Sequence, residues 1–301
     1  MPASTKLAAV PATSVKRKQR DQDEGSSDEG SDVSMVNVDF DFYNPNPEVD
    51  DIALKRLLRQ LLSSDAEEFD IHALAQLVLA QAVQMGIGST VKVDGTESDP
   101  YAYLSIVDLN ATAKDQTIQR LLTYLLDRLP KSSPMRDLLA SVSLPTSPNR
   151  IALVVSERLI NLPVQLMPPM WKFLLEELEN ARKEGNKEMS FTHYLLISRV
   201  YKFDGAEDDM DMGEDKSKGP ASKKTKKAQQ TETSSVPGGL MHYHPEEEFL
   251  ERSALYTHTF PFKNAQTRDE ESFSVEQRGR LSVYEADKMA EAVAAMEAAV
   301  Q

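Results

Sequence analysis

The chain has 301 residues, no cysteine, and 48 acidic against 34 basic residues, which gives a formal net charge of −14 at neutral pH. Without cysteine it has no disulfide, no thiol nucleophile and no cysteine-ligated zinc or iron–sulfur site. Charged residues interrupt every apolar stretch before it reaches the roughly 20 residues of a membrane span, so we expect neither a span nor a secretory signal. The negative charge disfavours duplex DNA and anionic membranes as partners and favours a basic protein.

Two segments separate their charges into blocks. Residues 1–34 begin with basic residues and continue with six acidic ones, and residues 204–239 begin with seven acidic residues and continue with six lysines. Neither segment has enough large apolar residues to offset the backbone entropy of ordering, which is about 1–2 kcal/mol per residue. We therefore predict a disordered tail at 1–34 and a disordered insertion at 204–239, within one folded domain at 35–301.

The first half of the folded part predicts strands and helices in alternation. Residues 36–42 read VNVDFDF, whose period of two indicates a strand. Asn46 and Pro47 then supply the cap and first position of a helix. Its apolar stripe consists of Val49, Ile52, Leu57, Leu58, Leu61 and Leu62. Asp70 caps a second helix, which ends at Gly86 in a turn rather than in a phosphate-binding loop, because a strand follows it.

Further along, turn and cap residues mark the remaining elements. Asp94-Gly95 predicts a hairpin that joins strands at 89–93 and 101–110. A helix is predicted over 115–129, and the apolar run 151–155 predicts a strand buried on both faces. The later elements are a helix from 168, a strand at 191–202, a helix at 245–253, strands at 254–262 and 280–283, and a helix at 285–300. This order predicts an α/β (α+β) fold, a mixed sheet flanked by helices.

Two short motifs offer catalytic or metal-binding residue types. His242 and His244 precede three glutamates, but a metal site needs three or four convergent ligands, and Pro245 followed by glutamates is also a typical first helical turn. Glu157 and Arg158 follow an apolar strand without a nucleophile motif at Ser156. They indicate either a structural ion pair or a solvated strand end. We predict no catalytic residue, no cofactor and no metal.

Short basic clusters in the two charged segments are candidates for nuclear-import signals, with a solvated charge run as the alternative. They are Lys16, Arg17, Lys18 and Arg20 in the tail, and Lys223, Lys224, Lys226 and Lys227 in the insertion. Ser26 is a phosphorylation candidate because acidic residues follow it. A phosphate group would add a charge of about −1.5 to −2.

Acidic residues in the same segments are the candidates for partner binding. They are Asp21, Asp23, Glu24, Asp28, Glu29, Asp32, Asp204, Glu207, Asp208, Asp209, Asp211, Glu214 and Asp215. Acidic blocks attract a basic client and compete with nucleic acid for its cationic side chains, as a chaperone must. Improved solubility alone is the alternative. We expect no direct binding to nucleic acid and no membrane insertion.

Three segments in this order resemble the BCCIP family, and its fungal members in particular. They are VNVDFDFYNP at 36–45, SERLINLP at 156–163, and PEEEF at 245–249 before the phenylalanines of 260–262. The resemblance covers about 36–203 and 240–300. It implies a fold similar to the GNAT acetyltransferases without an established enzymatic activity.

The resemblance also implies a function and a location. It implies shuttling between nucleus and cytoplasm, work with the nuclear transport machinery in nuclear export, including export of a phosphoinositide kinase, and a role in ribosome biogenesis as chaperone of a basic large-subunit ribosomal protein. Links to actin cytoskeleton organisation and vesicular transport are implied as well.

Two alternatives follow from the resemblance. The first is a cryptic GNAT-type acyltransferase, but the cofactor motif needs two closely spaced small residues, and residues 276–280 offer only Gly279. The second is an interaction hub in genome maintenance and cell-cycle control, because animal relatives bind a recombination mediator and a cyclin-dependent kinase inhibitor.

Overall fold

The computed structural model describes residues 38–202, 239–263 and 276–300. The predicted tail at 1–34 and all but the last residue of the predicted insertion at 204–239 lie outside these ranges.

A mixed β-sheet forms the centre of the described structure. Its strands are β1 (Asp41–Tyr43), β2 (Ser89–Lys92), β3 (Ala102–Asp108), β4 (Ile151–Arg158), β5 (His193–Lys202), β6 (Leu240–His242), β7 (Tyr256–Pro261) and β8 (Glu276–Glu285). The strand order is β1-β2-β3-β4-β5-β8-β7, and β6 pairs with β5. The β4–β5 pair is parallel, and the other described pairs are antiparallel.

Helices pack on both faces of this sheet. They are α1 (Pro47–Leu62), α2 (Ile71–Met85), α3 (Gln116–Arg128), α4 (Pro134–Ala140), α5 (Met167–Lys183), α6 (Glu247–Glu251) and α7 (Met289–Val300). The first four pack on one face and the last three on the other. Each face of the sheet has its own hydrophobic core. Residues of β3 contribute alternately to these two cores, because side chains alternate along a strand. The predicted mixed sheet flanked by helices is confirmed.

Local signals place the helix ends as expected. The side chains of Asn46 and Asp70 accept hydrogen bonds from backbone N–H groups in the first turns of α1 and α2. Gly86 ends α2 with a φ of 65°, in the left-handed region that favours glycine. None of the helices in the described ranges is long and apolar enough to cross a membrane.

Some boundaries and one core residue differ from the sequence predictions. Ile52 is 65 % exposed, whereas Leu57, Leu58, Leu61 and Leu62 of the predicted stripe are buried. β1 begins at Asp41, so the strand predicted from residue 36 is shorter. The helix predicted at 245–253 is a single short turn, α6, whereas β8 is longer than 280–283. The short elements α4 and β6 are absent from the sequence predictions. β6 could not be predicted because it depends on pairing with β5, a strand distant in sequence.

Gly279 makes room for an aromatic ring. It lies opposite Phe260 in the β7–β8 pair. The ring of Phe260 covers it so closely that an added Cβ would overlap the ring. The glycine that came nearest to a cofactor motif therefore has a packing role.

We predict that Gly279→Ala lowers the free energy of unfolding by about 1–3 kcal/mol, the usual cost of overpacking a core. Urea denaturation of the full chain measures this cost. Phe260→Ala removes the ring, so adding Gly279→Ala in that background should cost much less. Equal costs in the two backgrounds would contradict the packing role.

Candidate functional site

The two parallel strands at the centre of the sheet separate half-way along their length. β4 and β5 pair as far as Val154 and Leu196. Beyond this point β5 pairs with β6 on the side that β4 has left, and the N–H of Tyr243 donates to the Arg199 carbonyl over 2.9 Å. Residues 240–246 therefore lie in the gap that opens between β4 and β5.

This gap holds five buried charged or titratable side chains, which we name the central ion cluster. They are Glu157, Arg158, Arg199, His244 and Glu246, and each is at most 4 % exposed. The Glu157 carboxylate contacts His244 Nε2 directly and lies 3.3 Å from the Arg199 guanidinium. Gln60 of α1 donates a hydrogen bond to Glu157 over 2.8 Å. Both helix and strands thus converge on one buried carboxylate.

Arg158 forms the second half of the central ion cluster. Its guanidinium donates two hydrogen bonds to the Glu246 carboxylate, at 2.7 and 2.9 Å, a bidentate arrangement with strong geometric specificity. Another nitrogen donates to the Leu162 carbonyl over 3.2 Å. Arg199 in turn stacks over the Tyr243 ring, with its guanidinium carbon 3.8 Å from the ring centroid.

The burial of Glu157 and Arg158 decides between the two sequence interpretations. A solvated strand end is wrong, because both side chains are buried. Both residues do form structural ion pairs, but each has its own partner. Glu157 pairs with Arg199, and Arg158 pairs with Glu246. Adjacent residues of a strand point to opposite faces, so they do not pair with each other.

His242 belongs to a neighbouring ionic group on β6, α6 and β8. Its Nε2 lies 3.3 Å from Glu251, and its Nδ1 lies 3.8 Å from Glu247. Arg280 of β8 forms an ion pair with Glu251. The histidines of the His242-x-His244 motif therefore meet different carboxylates. Within the described ranges, no three metal-ligating side chains form a group that could hold a metal ion.

Comparison with known proteins identifies the family. The family model for BCCIP matches residues 35–250. The chain belongs to the BCCIP family. It is 41 % identical over 234 residues to "Protein bcp1" of Schizosaccharomyces pombe, which covers 77 % of each chain. It is 39 % identical over 248 residues to "Protein bcp1" of Aspergillus fumigatus, covering 79 % of this chain and 78 % of that protein.

A solved structure has the same fold. The crystal structure of BCP1 from Saccharomyces cerevisiae matches with a TM-score of 0.59 at 24 % identity, covering 91 % of this chain and 94 % of the other. At this identity the match shows the fold alone. All five residues of the central ion cluster lie inside the segment that the BCCIP model matches. The names of these bcp1 relatives state no catalytic activity.

The ionic groups shift the pKa values of both histidines upwards. Burial favours neutral His242, but the carboxylates of Glu247 and Glu251 outweigh it and raise the pKa to about 9. Burial likewise opposes protonation of His244, and contact with Glu157 raises its pKa nonetheless. The pKa of Glu157 is lowered, because His244 and Arg199 outweigh the effect of burial. The His242 ring is therefore cationic at neutral pH, and the His244 ring is shifted in the same direction.

We predict that the free energy of unfolding falls as the pH rises from about 6.5 to about 9. A histidine has a pKa of about 6.5 in the unfolded chain, so a raised pKa in the folded state stabilises fully below that value and is lost as the pH rises through the folded value. Burial also raises the pKa of Glu177 to about 7, so the stability that this group contributes is lost mostly below this window, between about pH 4.5 and 7.

Urea denaturation across this pH range measures the effect. His242→Gln should make the chain less stable at pH 6 and should reduce the slope between pH 6.5 and 9, leaving the part that His244 causes. An unchanged slope in the variant would show that His242 does not titrate as its contacts require.

The structure does not test the site residues chosen from the sequence. The import candidates, the acidic candidates and Ser26 all lie in 1–37 or 203–238, outside the described residues. They stay predictions. The central ion cluster was missed as a site, although its signal was present: a Glu-Arg pair that ends an apolar run, and a His-x-His motif before three glutamates.

Proposed function

We propose that the chain is a non-enzymatic escort that shuttles between nucleus and cytoplasm and acts in nuclear export and as chaperone of a basic large-subunit ribosomal protein. Membership of the BCCIP family and the net charge of −14 support this proposal. The observation that carries it is a group of exposed carboxylates at one end of the sheet.

The acidic end of the sheet is formed by the connection between β2 and β3. Asp94, Glu97 and Asp99 are all exposed there. Asp39 precedes β1, whose residue Asp41 pairs with Lys92 just before this connection. These carboxylates create a negative potential that attracts Lys and Arg side chains at long range when salt is low.

A nearby lysine does not neutralise this surface. Lys92 is 1 % exposed, and its ammonium lies 2.6 Å from the Asp50 carboxylate in the interior. The acidic stretch of the tail, residues 21–32, precedes Val38 by only six residues, so it joins the fold at the same end. A basic client would meet carboxylates of the folded part and of the tail together.

The charged insertion is also attached at a single place. The last residue of β5 before the insertion, Lys202, pairs with Leu240, the first residue of β6 after it. The central ion cluster then holds the segment that follows β6. The described residues on either side of this segment thus lie next to each other in one strand pair, which suits a charged segment that presents its acidic and basic blocks to partners.

The filled gap between β4 and β5 supports a non-enzymatic protein. A cofactor entering there would have to displace residues 240–246 and leave buried charges unpaired, at a cost of several kcal/mol. The family resemblance contributes the remaining parts of the proposal. They are the GNAT-like version of the fold, export of a phosphoinositide kinase, and the links to actin organisation and vesicular transport.

An affinity pull-down from cell extract with the full chain tests the proposal, with mass spectrometry of what survives a moderate salt wash. We expect recovery of one basic large-subunit ribosomal protein near one-to-one, without the rest of the ribosome. Recovery of many unrelated basic proteins, all lost with salt, would show that the chain acts only as a polyanion and would overturn the proposal.

A further inference from the structure

A groove of about 470 Å³ lies between α1 and the connection of β2 with β3. Its floor is apolar and consists mainly of Leu57 from α1, Tyr101 before β3, and Leu159 after β4. The Tyr101 ring also meets Phe40, just before β1, at a centroid distance of 6.3 Å. The groove therefore lies near the first described residues, and Phe40 is eight positions beyond the end of the acidic stretch 21–32.

The rim of the groove is charged. Asp94 and Asp99 line it, together with Arg56 of α1. Arg56 forms an ion pair with Asp99, and the two side chains are 60 % and 53 % exposed. The chain's own arginine thus shows that a guanidinium above the floor reaches Asp99. Exposed pairs of this kind are weak, typically below about 1 kcal/mol, so an external cation can replace Arg56.

We propose that this groove is the docking site for an arginine or lysine side chain of the basic client. The inference rests on the proposed function and names the surface that performs it. Long basic side chains cover apolar surface with their methylene groups and keep the charged end outside. Here the stem would lie on Leu57 and Leu159 beside the Tyr101 ring. The head would meet Asp94 and Asp99, and Arg56 would swing into solvent.

Charge complementarity selects this occupant over an apolar or acidic segment. Two carboxylates face one arginine on the rim, and the acidic stretch 21–32 joins the fold beside it. An apolar peptide would bring no cation to Asp94, since Arg56 pairs with Asp99. An acidic peptide would be repelled by them.

Fluorescence anisotropy with labelled nona-arginine as probe, on the full chain at physiological salt, tests the groove. Asp99→Asn should weaken binding about fivefold, the effect of one contact worth about 1 kcal/mol. Arg56→Gln should tighten binding, because it removes the internal competitor. Leu159→Ser should weaken binding without a change of charge, and thermal melting shows whether each variant is folded.

The chain offers a matched control pair on α5. Glu179 and Lys183 form an exposed ion pair, with side chains 56 % and 67 % exposed. Glu177 of the same helix accepts a hydrogen bond from the Gly88 N–H, at the end of β2 opposite to the groove. Glu179→Gln and Lys183→Gln therefore change the net charge by the same amounts, far from the groove, and should alter binding less than twofold.

Equal effects at Asp99 and Glu179, or no binding of nona-arginine to the unmodified chain, would overturn the groove as docking site. The pull-down separates this result from the proposed function. Suppose that the pull-down recovers the ribosomal protein, but the Asp99 and Glu179 variants bind nona-arginine equally well. The proposed function would then still be supported, and the groove would be excluded as the docking site. If instead the Asp99 variant binds nona-arginine more weakly than the Glu179 variant, but the pull-down contains no ribosomal protein, the groove would be supported as a cation-binding site and the proposed function would be overturned.

Discussion

Replacing Glu157 with glutamine is expected to lower the free energy of unfolding by about 3–5 kcal/mol, the cost of breaking a buried ion pair from one side. Glutamine keeps the shape of the side chain but removes its charge. Arg199 and His244, at 3 % and 4 % exposed, would then lose the carboxylate that both contact. The lowered pKa of Glu157 means that the native chain carries this charge at neutral pH.

Urea denaturation at pH 7, followed by the fluorescence of the single tryptophan, Trp171, measures this loss. Glu179→Gln is the matched control, since the same substitution in an exposed helix pair should change the free energy of unfolding far less. Adding Arg199→Met to Glu157→Gln should recover part of the stability, because no unpaired guanidinium remains. A loss in Glu157→Gln no larger than that of the control would contradict the buried network.

Asp50→Asn is expected to cost about 3 kcal/mol or more for a similar reason, and to loosen the acidic end of the sheet as well. Asp50 is fully buried, accepts the Asn46 N–H over 2.7 Å, and pairs with Lys92. The Lys92 ammonium also donates to the Thr96 carbonyl over 2.7 Å, which holds the connection between β2 and β3. The variant leaves a buried ammonium without its counter-charge.

Hydrogen exchange separates the two consequences of Asp50→Asn. Amides of residues 93–99 should exchange faster than in the unmodified chain, under conditions where those of β4 are still protected. The double variant Asp50→Asn with Lys92→Met should be more stable than Asp50→Asn alone, because it removes the unpaired charge. Unchanged exchange at 93–99 would show that Lys92 does not organise this connection.

The elements that could be predicted from sequence are those with local signals. Asn46 and Asp70 cap helices through contacts within two or three residues, and Asp94-Gly95 marks a hairpin through its own backbone preference. Such signals need no knowledge of distant contacts. The family resemblance was also correct, because its motifs occur in order along the chain.

The remaining features depend on contacts between distant residues. β6 has three residues and exists because it pairs with β5 after a long insertion. The central ion cluster joins Glu157 to His244, 87 positions later, and no pattern around either residue names the other. Ile52 matched the helical stripe in spacing, but the sheet lies against neighbouring residues of α1. The groove also depends on distant contacts, because it forms where α1 packs beside the connection between β2 and β3.

The most direct test of the proposed chaperone function is competition with RNA. A purified basic large-subunit ribosomal protein is bound to labelled ribosomal RNA at physiological salt, and the full chain is titrated in. We expect release of the RNA near one equivalent of chain, with less release by the Asp99→Asn variant than by the Glu179→Gln control. Release only at large excess, matched by polyglutamate of equal charge, would contradict it.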